Sequence, residues 1–295
     1  MREIVVVSGK GGTGKTSIAA SFAVLARAAV VADCDVDAAD LHLLLRPRVV
    51  QRSEFRSGHE AVIRQGDCTR CGLCLDLCRF AAIARAGSEG AFTVDPISCE
   101  GCGVCVRFCP AGAIDFPESL SGEWMVSETR CGPMVHARLG IAAENSGKLV
   151  STVRREARRV ARETGRELII VDGPPGIGCP VIASLTGASL AVIVTEPTVS
   201  GEHDLERVLA LARHFGVPAA VSVNKWDINR GMTERIEKLA RRAGALAAGR
   251  IRYDPAVTKA QIDARAPVET GGAASEDIAG IWERVSSYGG ANGIQ

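Results

Sequence analysis

The sequence predicts an α/β fold built on a mostly parallel sheet and interrupted once by a cysteine-rich insert. Three observations predict it. Continuous apolar runs end in polar residues, and a glycine-rich loop joins the first run to an apolar helical segment. Between about His59 and Pro117 that alternation stops, and two copies of one cysteine array replace it.

The apolar runs are Ile4–Val7, Leu168–Val171, Leu190–Val194 and Ala219–Val223. Uninterrupted runs of this kind are expected of parallel strands covered on both faces. They end in Ser8, Asp172, Thr195-Glu196-Pro197 and Asn224-Lys225 respectively. Ligands of open α/β sheets bind at the carboxyl ends of strands, so one site can gather Lys15, Asp35, Asp172 and Asn224. The first run passes into Ser8-Gly9-Lys10-Gly11-Gly12-Thr13-Gly14-Lys15-Thr16, and Ser17 to Ala29 reads as a helix. Strand, glycine-rich loop and helix in that order form the context of a phosphate-binding loop. Backbone N–H groups of Gly12 to Lys15 are expected to cradle a β-phosphate at the helix amino terminus. Lys15 is expected to reach the β/γ oxygens, and the Thr16 hydroxyl to bind Mg²⁺.

Eight of the eleven cysteines form two arrays thirty-one residues apart, Cys68, Cys71, Cys74, Cys78 and Cys99, Cys102, Cys105, Cys109. The offset extends to Ala82-Ile83 and Ala113-Ile114. Three closely spaced thiolates and a distant fourth are what a [4Fe–4S] cubane requires. In two-cluster ferredoxins the fourth cysteine of each run ligates the other cluster. The expected sets are therefore Cys68, Cys71, Cys74, Cys109 and Cys78, Cys99, Cys102, Cys105. Cys109 is followed by Pro110, whereas Cys78 is followed by Arg79, which places a donor and a positive charge beside one cluster. The insert can fold on its own clusters, and lengthening a loop costs only about 0.6 kcal/mol per doubling.

Hydrophobic content of 46% supports a large core, and a net charge of +1 gives no bulk attraction to nucleic acid or membrane. An odd cysteine count and the x-x spacings oppose a disulfide scaffold. Ile4–Val7 is too short for the core of a signal peptide, so a reducing cytoplasm is the expected compartment.

Lys10-Gly11-Gly12-Thr13-Gly14-Lys15-Thr16 resembles the deviant Walker A loop of the MinD/ParA/Mrp and nitrogenase iron-protein group. Nearly the whole chain resembles the branch of that group with an inserted bacterial-type ferredoxin domain. The organisation expected is a P-loop ATPase domain in two parts, 1–58 and 118–295, around an insert at 59–117. The resemblance implies that Lys10 reaches across an ATP-dependent homodimer to phosphates held by the partner subunit. Asp35, in Ala32-Asp33-Cys34-Asp35-Val36-Asp37, matches the first-switch position that handles the attacking water and the Mg²⁺ shell. Asp172, in Asp172-Gly173-Pro174-Pro175-Gly176, matches the second switch and holds Mg²⁺ through water. Lys10, Lys15, Asp35 and Asp172 are the expected catalytic group, with Mg²⁺ held by Thr16, Asp35 and Asp172. Gly11, Gly12, Thr13, Gly14, Lys15, Thr16 and Ser17 are expected to bind nucleotide with Asn224, Lys225, Asp254 and Pro255. By itself Asn224-Lys225-Trp226-Asp227 reads as guanine recognition, but the matching Asn of the family faces adenine. ATP is therefore expected over GTP.

Cys179 lies seven residues after Asp172, the interval at which the nitrogenase iron protein carries its bridging-cluster cysteine. Cys131 and Cys179 from two subunits are accordingly a candidate ligand set for a third, shared cluster. Cys34 reads as a small buried residue. Arg154, Arg155, Arg158, Arg159 and Arg162 read as a solvated helix face or a dock for an acidic partner, and Ser275–Tyr288 as a packing helix.

The function expected is an iron–sulfur ATPase that couples ATP binding and dimer closure to electron transfer, or to delivery of an Fe–S or metal cluster, to a partner protein. The alternative is a MinD/ParA-type positioning or cell-division ATPase with redox-sensing clusters. It requires a membrane helix or a basic surface, and the sequence presents neither clearly.

Overall fold

A computed structural model describes residues 1–87, 90–140 and 146–288. The chain forms two compact units, one of Met1–Ser53, Trp124–Arg138 and Ser146–Gln295, the other of Glu54–Glu123 with Leu139–Asn145. The expected insert at 59–117 lies within the second.

In the first unit β1 (Arg2–Ser8), α1 (Lys15–Ala26), β2 (Ala29–Asp33) and α2 (Leu41–Leu45) lead into β3 (Arg48–His59). The helix read from Ser17 to Ala29 stops at Ala26. Arg27, at φ 58°, takes a left-handed turn, and Ala29 already opens the next strand. In the second unit lie β4 (Val62–Ile63), α3 (Leu73–Leu77), β5 (Ile83–Ala86), β6 (Ala91–Val94), α4 (Val104–Arg107) and β7 (Ile114–Asp115). Chain return is through β8 (Glu118–Thr129) and β9 (Gly132–Leu139). Then come α5 (Ser146–Glu163), β10 (Leu168–Pro175), α6 (Cys179–Leu185), β11 (Leu190–Thr195), α7 (Val199–His214), β12 (Ala219–Asn224), α8 (Arg230–Arg242), β13 (Leu246–Ile251), α9 (Pro255–Ile262) and α10 (Ala273–Ser287).

Among the described residues the main sheet has nine strands in the order β13-β12-β11-β1-β10-β2-β9-β8-β3. Pairing is parallel from β13 through β9. The strands read from continuous apolar runs are the central ones, since only a strand covered on both faces can be apolar at every position. Ile4, Val6, Phe22, Leu190 and Val192 form one core with Ile278, Ile281 and Val285 of α10. The Trp282 ring lies 5.2 Å from that of Phe22. The tail helix is thus a packing helix.

The arginine-rich helix α5 is not simply a solvated face. Arg154 is buried, and it donates to Glu3 Oε1 at 2.6 Å and to the carbonyls of Ala183 and Thr186 at 2.5 and 2.9 Å. Arg158 takes the other Glu3 oxygen at 2.6 Å, while Arg159 pairs with Glu156 and Glu163. Three carboxylates, Glu3, Glu156 and Glu163, thus offset half of the helix's six positive charges.

Candidate functional site: a phosphate loop facing buried carboxylates, and eight thiols around two cavities

The loop after β1 turns into α1 through Gly12 and Gly14, at φ 78° and 87°. A Cβ on Gly14, at a left-handed φ that strains any side chain, would stand 2.6 Å from Asn224 Nδ2 and displace that amide. Asn224 uses that amide to donate to the Thr13 carbonyl at 2.8 Å. No side chain caps α1, which leaves its first N–H groups available to an anion.

Lys15 is buried where the strand ends converge. Its Nζ lies 2.5 Å from Asp35 Oδ2 and 3.8 Å from Asp172 Oδ1. Burial works to lower the Lys15 pKa, but Asp172, Asp35 and Asp33 outweigh it and hold the pKa above the ordinary lysine value. Burial pushes the Asp172 carboxyl up to about 6 against the pull of Lys15 and Thr16. Among the described residues Thr16 is the one hydroxyl near enough to act on it, and neither Asp172 oxygen has a hydrogen-bond partner of good geometry. Asp33, on the same strand end, is pushed well above the carboxylate range by burial and by Asp172. Its Oδ2 is also unpartnered, whereas Oδ1 accepts the Asp35 N–H. Asp33 was not singled out from the sequence, although its place in Asp33-Cys34-Asp35 at a strand end was a usable signal.

Beside the loop a cavity of about 200 Å³ is lined by Gly12, Gly14, Ser17, Asn224, Lys225 and Tyr253, together with Asp254, Thr258 and Gln261. Expected nucleotide residues therefore meet here. Asp254 is largely committed elsewhere: it caps α9 by accepting the Ala256 N–H at 2.9 Å and takes the Ala274 N–H at 3.2 Å. Those bonds hold its carboxyl below the usual range. Pro255 is the first residue of α9, where a missing N–H costs nothing. Asp227 is engaged too, its Oδ1 accepting the Tyr253 N–H at 2.8 Å.

Lys10 lies at the rim, folded onto its own chain. Its Nζ is 3.3 Å from Ser200 Oγ, 3.4 Å from Thr198 Oγ1 and 3.5 Å from Glu196 Oε2.

In the second unit the two cysteine arrays interleave. One small cavity is lined by Cys68, Cys71, Cys74 and Cys109 with Ile63, Phe92 and Ile114. The other is lined by Cys78, Cys99, Cys102 and Cys105 with Ala61, Ile83 and Val94. Gly72 and Gly103, at φ 82° and 71°, turn the chain after Cys71 and Cys102 into α3 and α4. Burial pushes the thiols of Cys74 and Cys105, the third in each array, upward. Cys109 Sγ accepts the Ala113 N–H at 3.3 Å. Among the described residues no three His, Cys, Asp or Glu side chains converge as a site for one metal ion.

The structure corrects one pairing. Cys131 sits in the β8–β9 turn, packed on Ala20, Val31, Leu41 and Met134. It precedes β9, at the end of the sheet where β2 and β10 begin with Ala29 and Leu168. Cys179 follows the opposite end of β10 and is exposed. From Ala29 to Asp33 alone the strands run about 13 Å. The two cysteines of one chain thus lie at opposite ends of the sheet, and Cys131 is a core residue.

Residues 4–268 match the CobQ/CobB/MinD/ParA nucleotide binding domain. An uncharacterized protein of Methanocaldococcus jannaschii is 36% identical over 233 residues, 77% of this chain and 79% of that protein. Over 49 residues the chain is 47% identical to the indolepyruvate oxidoreductase subunit IorA of Methanothermobacter thermautotrophicus, which is 16% of this chain and 8% of that subunit. The cell division ATPase MinD of Pyrococcus furiosus superposes with a TM-score of 0.58 at 17% identity, over 97% of this chain and 98% of that one. At that identity the likeness is one of fold. No helix among the described residues is long and apolar enough to cross a membrane.

Proposed function

The chain belongs to the CobQ/CobB/MinD/ParA nucleotide-binding family, with a MinD/ParA-type P-loop ATPase domain, and from that premise we propose that it is an ATP-dependent homodimeric iron–sulfur ATPase that passes electrons to a partner protein. The observation that carries this reading is the sorting of eight thiols into two cavities, four and four, each taking the fourth cysteine from the other array. That is the sharing found in two-cluster ferredoxins. A mononuclear zinc site needs its thiolates gathered around one ion. Thiols spread around a cavity fit a cubane better, because each cysteine takes its own iron. Bound there, two [4Fe–4S] clusters supply one-electron carriers. The chain's own contribution is the apolar wall of Ile63, Ile83, Phe92 and Ile114, against which the cysteines pack. The match to an oxidoreductase subunit supports a redox role.

In the other unit Lys15 lies between Asp35 and Asp172. The unpartnered Asp172 oxygens fit an Mg²⁺ shell shared with Thr16 and Asp35. Mg²⁺ supplies charge neutralisation on the phosphate oxygens. A bound triphosphate draws Lys15 onto its β/γ oxygens, which releases Asp35 to orient the attacking water. Adenine is proposed over guanine on the family resemblance, in which the Asn matching Asn224 faces adenine. Gly11, Thr13 and Ser17 complete the phosphate cradle, and Lys10 acts on the partner's nucleotide. Nucleotide state has a covalent route to the cysteine-rich unit, since Asp35 is followed by α2 and then β3, which runs into it.

Anaerobic purification with iron and sulfide assays tests the proposal. About eight of each per chain are expected. Two zinc ions per chain without sulfide would overturn it.

A further inference from the structure

Two lysines with different tasks share one carboxylate. Glu196 follows β11, and its Oε1 lies 2.6 Å from Lys225 Nζ while its Oε2 lies 3.5 Å from Lys10 Nζ. Lys225 lines the cavity beside the phosphate loop, and Lys10 is the loop's own rim residue. The Lys225 N–H is taken by Asn224 Oδ1, and Asn224 in turn holds the Thr13 carbonyl. The contacts thus close a ring from the loop through β12 and the β11–α7 turn back to the loop.

The turn carrying Glu196 is fixed. Thr195 Oγ1 donates to the Gly201 carbonyl at 2.9 Å, and Thr198, the amino-terminal cap of α7, accepts the Gly201 N–H at 3.0 Å. A Cβ on Gly201 would stand 2.3 Å from the Glu196 carbonyl oxygen, so the turn closes this tightly only with glycine there. The Glu196 side chain is 15% exposed, against 31% for Lys10. A mostly buried acid on a fixed turn therefore presents an acceptor to a more exposed lysine. Ser200 and Thr198 supply two further oxygens to the same ammonium.

We infer that Glu196 is the positioning residue of Lys10: it holds that ammonium on its own chain until a second nucleotide-loaded copy offers it phosphate. The inference rests on the proposed action of Lys10 across a dimer. Because Lys225 keeps the closer oxygen, Glu196 is not stranded when Lys10 leaves. Departure is therefore cheap, and the contact sets how readily dimers form without setting what they do once formed.

Glu196→Gln keeps the shape and a hydrogen-bond acceptor for Lys225 while removing the charge that holds Lys10. The variant is expected to reach half-maximal Mg-ATP-dependent dimerisation at a chain concentration lower by about tenfold, since each dimer releases two partly exposed ion pairs of about threefold each. ATP affinity at low chain concentration should stay unchanged, and Glu196→Asp should return towards the parent. A second readout needs no dimer. In nucleotide-free protein, acetic anhydride labelling read by peptide mass spectrometry should modify Lys10 about threefold faster in Glu196→Gln, with Lys148 and Lys238 unchanged. Ser200→Ala should shift both readouts in the same direction by less, and it serves if Glu196→Gln does not fold. Unchanged Lys10 labelling, or an unchanged or raised dimerisation concentration, overturns the inference. A parent protein that stays monomeric with Mg-ATP overturns the dimer reading beneath it, and faster Lys10 labelling in the same protein would still show the contact.

Discussion

Replacing Lys15 by Met tests whether this lysine stabilises the empty site as well as the nucleotide. In the free protein its ammonium lies 2.5 Å from Asp35 and 3.8 Å from Asp172, and all three side chains are less than a tenth exposed. Asp33 adds a third buried carboxyl alongside. Removing one partner of a buried ion pair costs about 3–5 kcal/mol, because the remaining charge is left uncompensated. At roughly 2–4 °C per kcal/mol for a domain of this size, the melting temperature in Mg²⁺-free, nucleotide-free buffer should fall by on the order of 10 °C. Adding Asp35→Asn to Lys15→Met should recover at least half of that loss. The pH sign follows from Asp172, whose folded carboxyl titrates at about 6 against an ordinary value of 3.8. The folded state then binds the extra proton between those values and gains relative stability as pH falls. Losing Lys15 removes the pull that holds this carboxyl down, so Asp172 titrates higher still in Lys15→Met and the deficit should shrink from pH 7 to pH 5. Differential scanning calorimetry of the four proteins of this cycle measures each quantity. A Lys15→Met protein that melts with the parent, or an Asp35→Asn change that only adds further loss, refutes the reasoning.

Cys78→Ser should remove the iron associated with Cys99, Cys102 and Cys105, and leave the EPR signal of the cluster on the other three first-array cysteines; loss of that signal instead would mean each array binds its own cluster. Lys10→Ala should bind ATP at low chain concentration yet neither dimerise nor turn over, as read by fluorescent nucleotide titration and light scattering. Asp227→Ala should weaken ATP and GTP binding alike, since its carboxylate positions the Tyr253 backbone; selective loss of GTP binding would restore a guanine-reading role. Cys131→Ala should leave iron per chain unchanged and cost about 1 kcal/mol of stability as a small core cavity.

The parts of the site legible in the sequence are those encoded by neighbours along the chain. The glycine loop before α1 and the two cysteine arrays each announce themselves within a dozen residues. Strands β1, β10, β11 and β12 are legible because burial on both faces leaves every position apolar. What was not legible depends on residues far apart in sequence. Arg154 looks like one more exposed helix arginine until β1 brings Glu3, 151 residues away, against it. Cys131 and Cys179 look interchangeable as thiols, and only strand direction assigns them to opposite ends of the sheet. Asp254 suggests a base contact from its place near the site, but its capping of α9 depends on local backbone geometry. Glu196 was visible as a polar strand end, yet its sharing between Lys10 and Lys225 requires three strand ends to converge.

The central claim is that nucleotide state is coupled to electron transfer through the clusters, and their reduction potentials measure it directly. An EPR-monitored redox titration of anaerobically purified protein, without nucleotide and with Mg²⁺ and a non-hydrolysable ATP analogue, compares the two states. A site-to-site coupling of about 1–3 kcal/mol corresponds to a potential shift of about 40–130 mV for a one-electron couple. The account predicts a shift of that size in at least one cluster, absent in a folded Lys15→Met protein. Fully loaded clusters with identical potentials and reoxidation rates in both states, in a protein that still hydrolyses ATP, would contradict it.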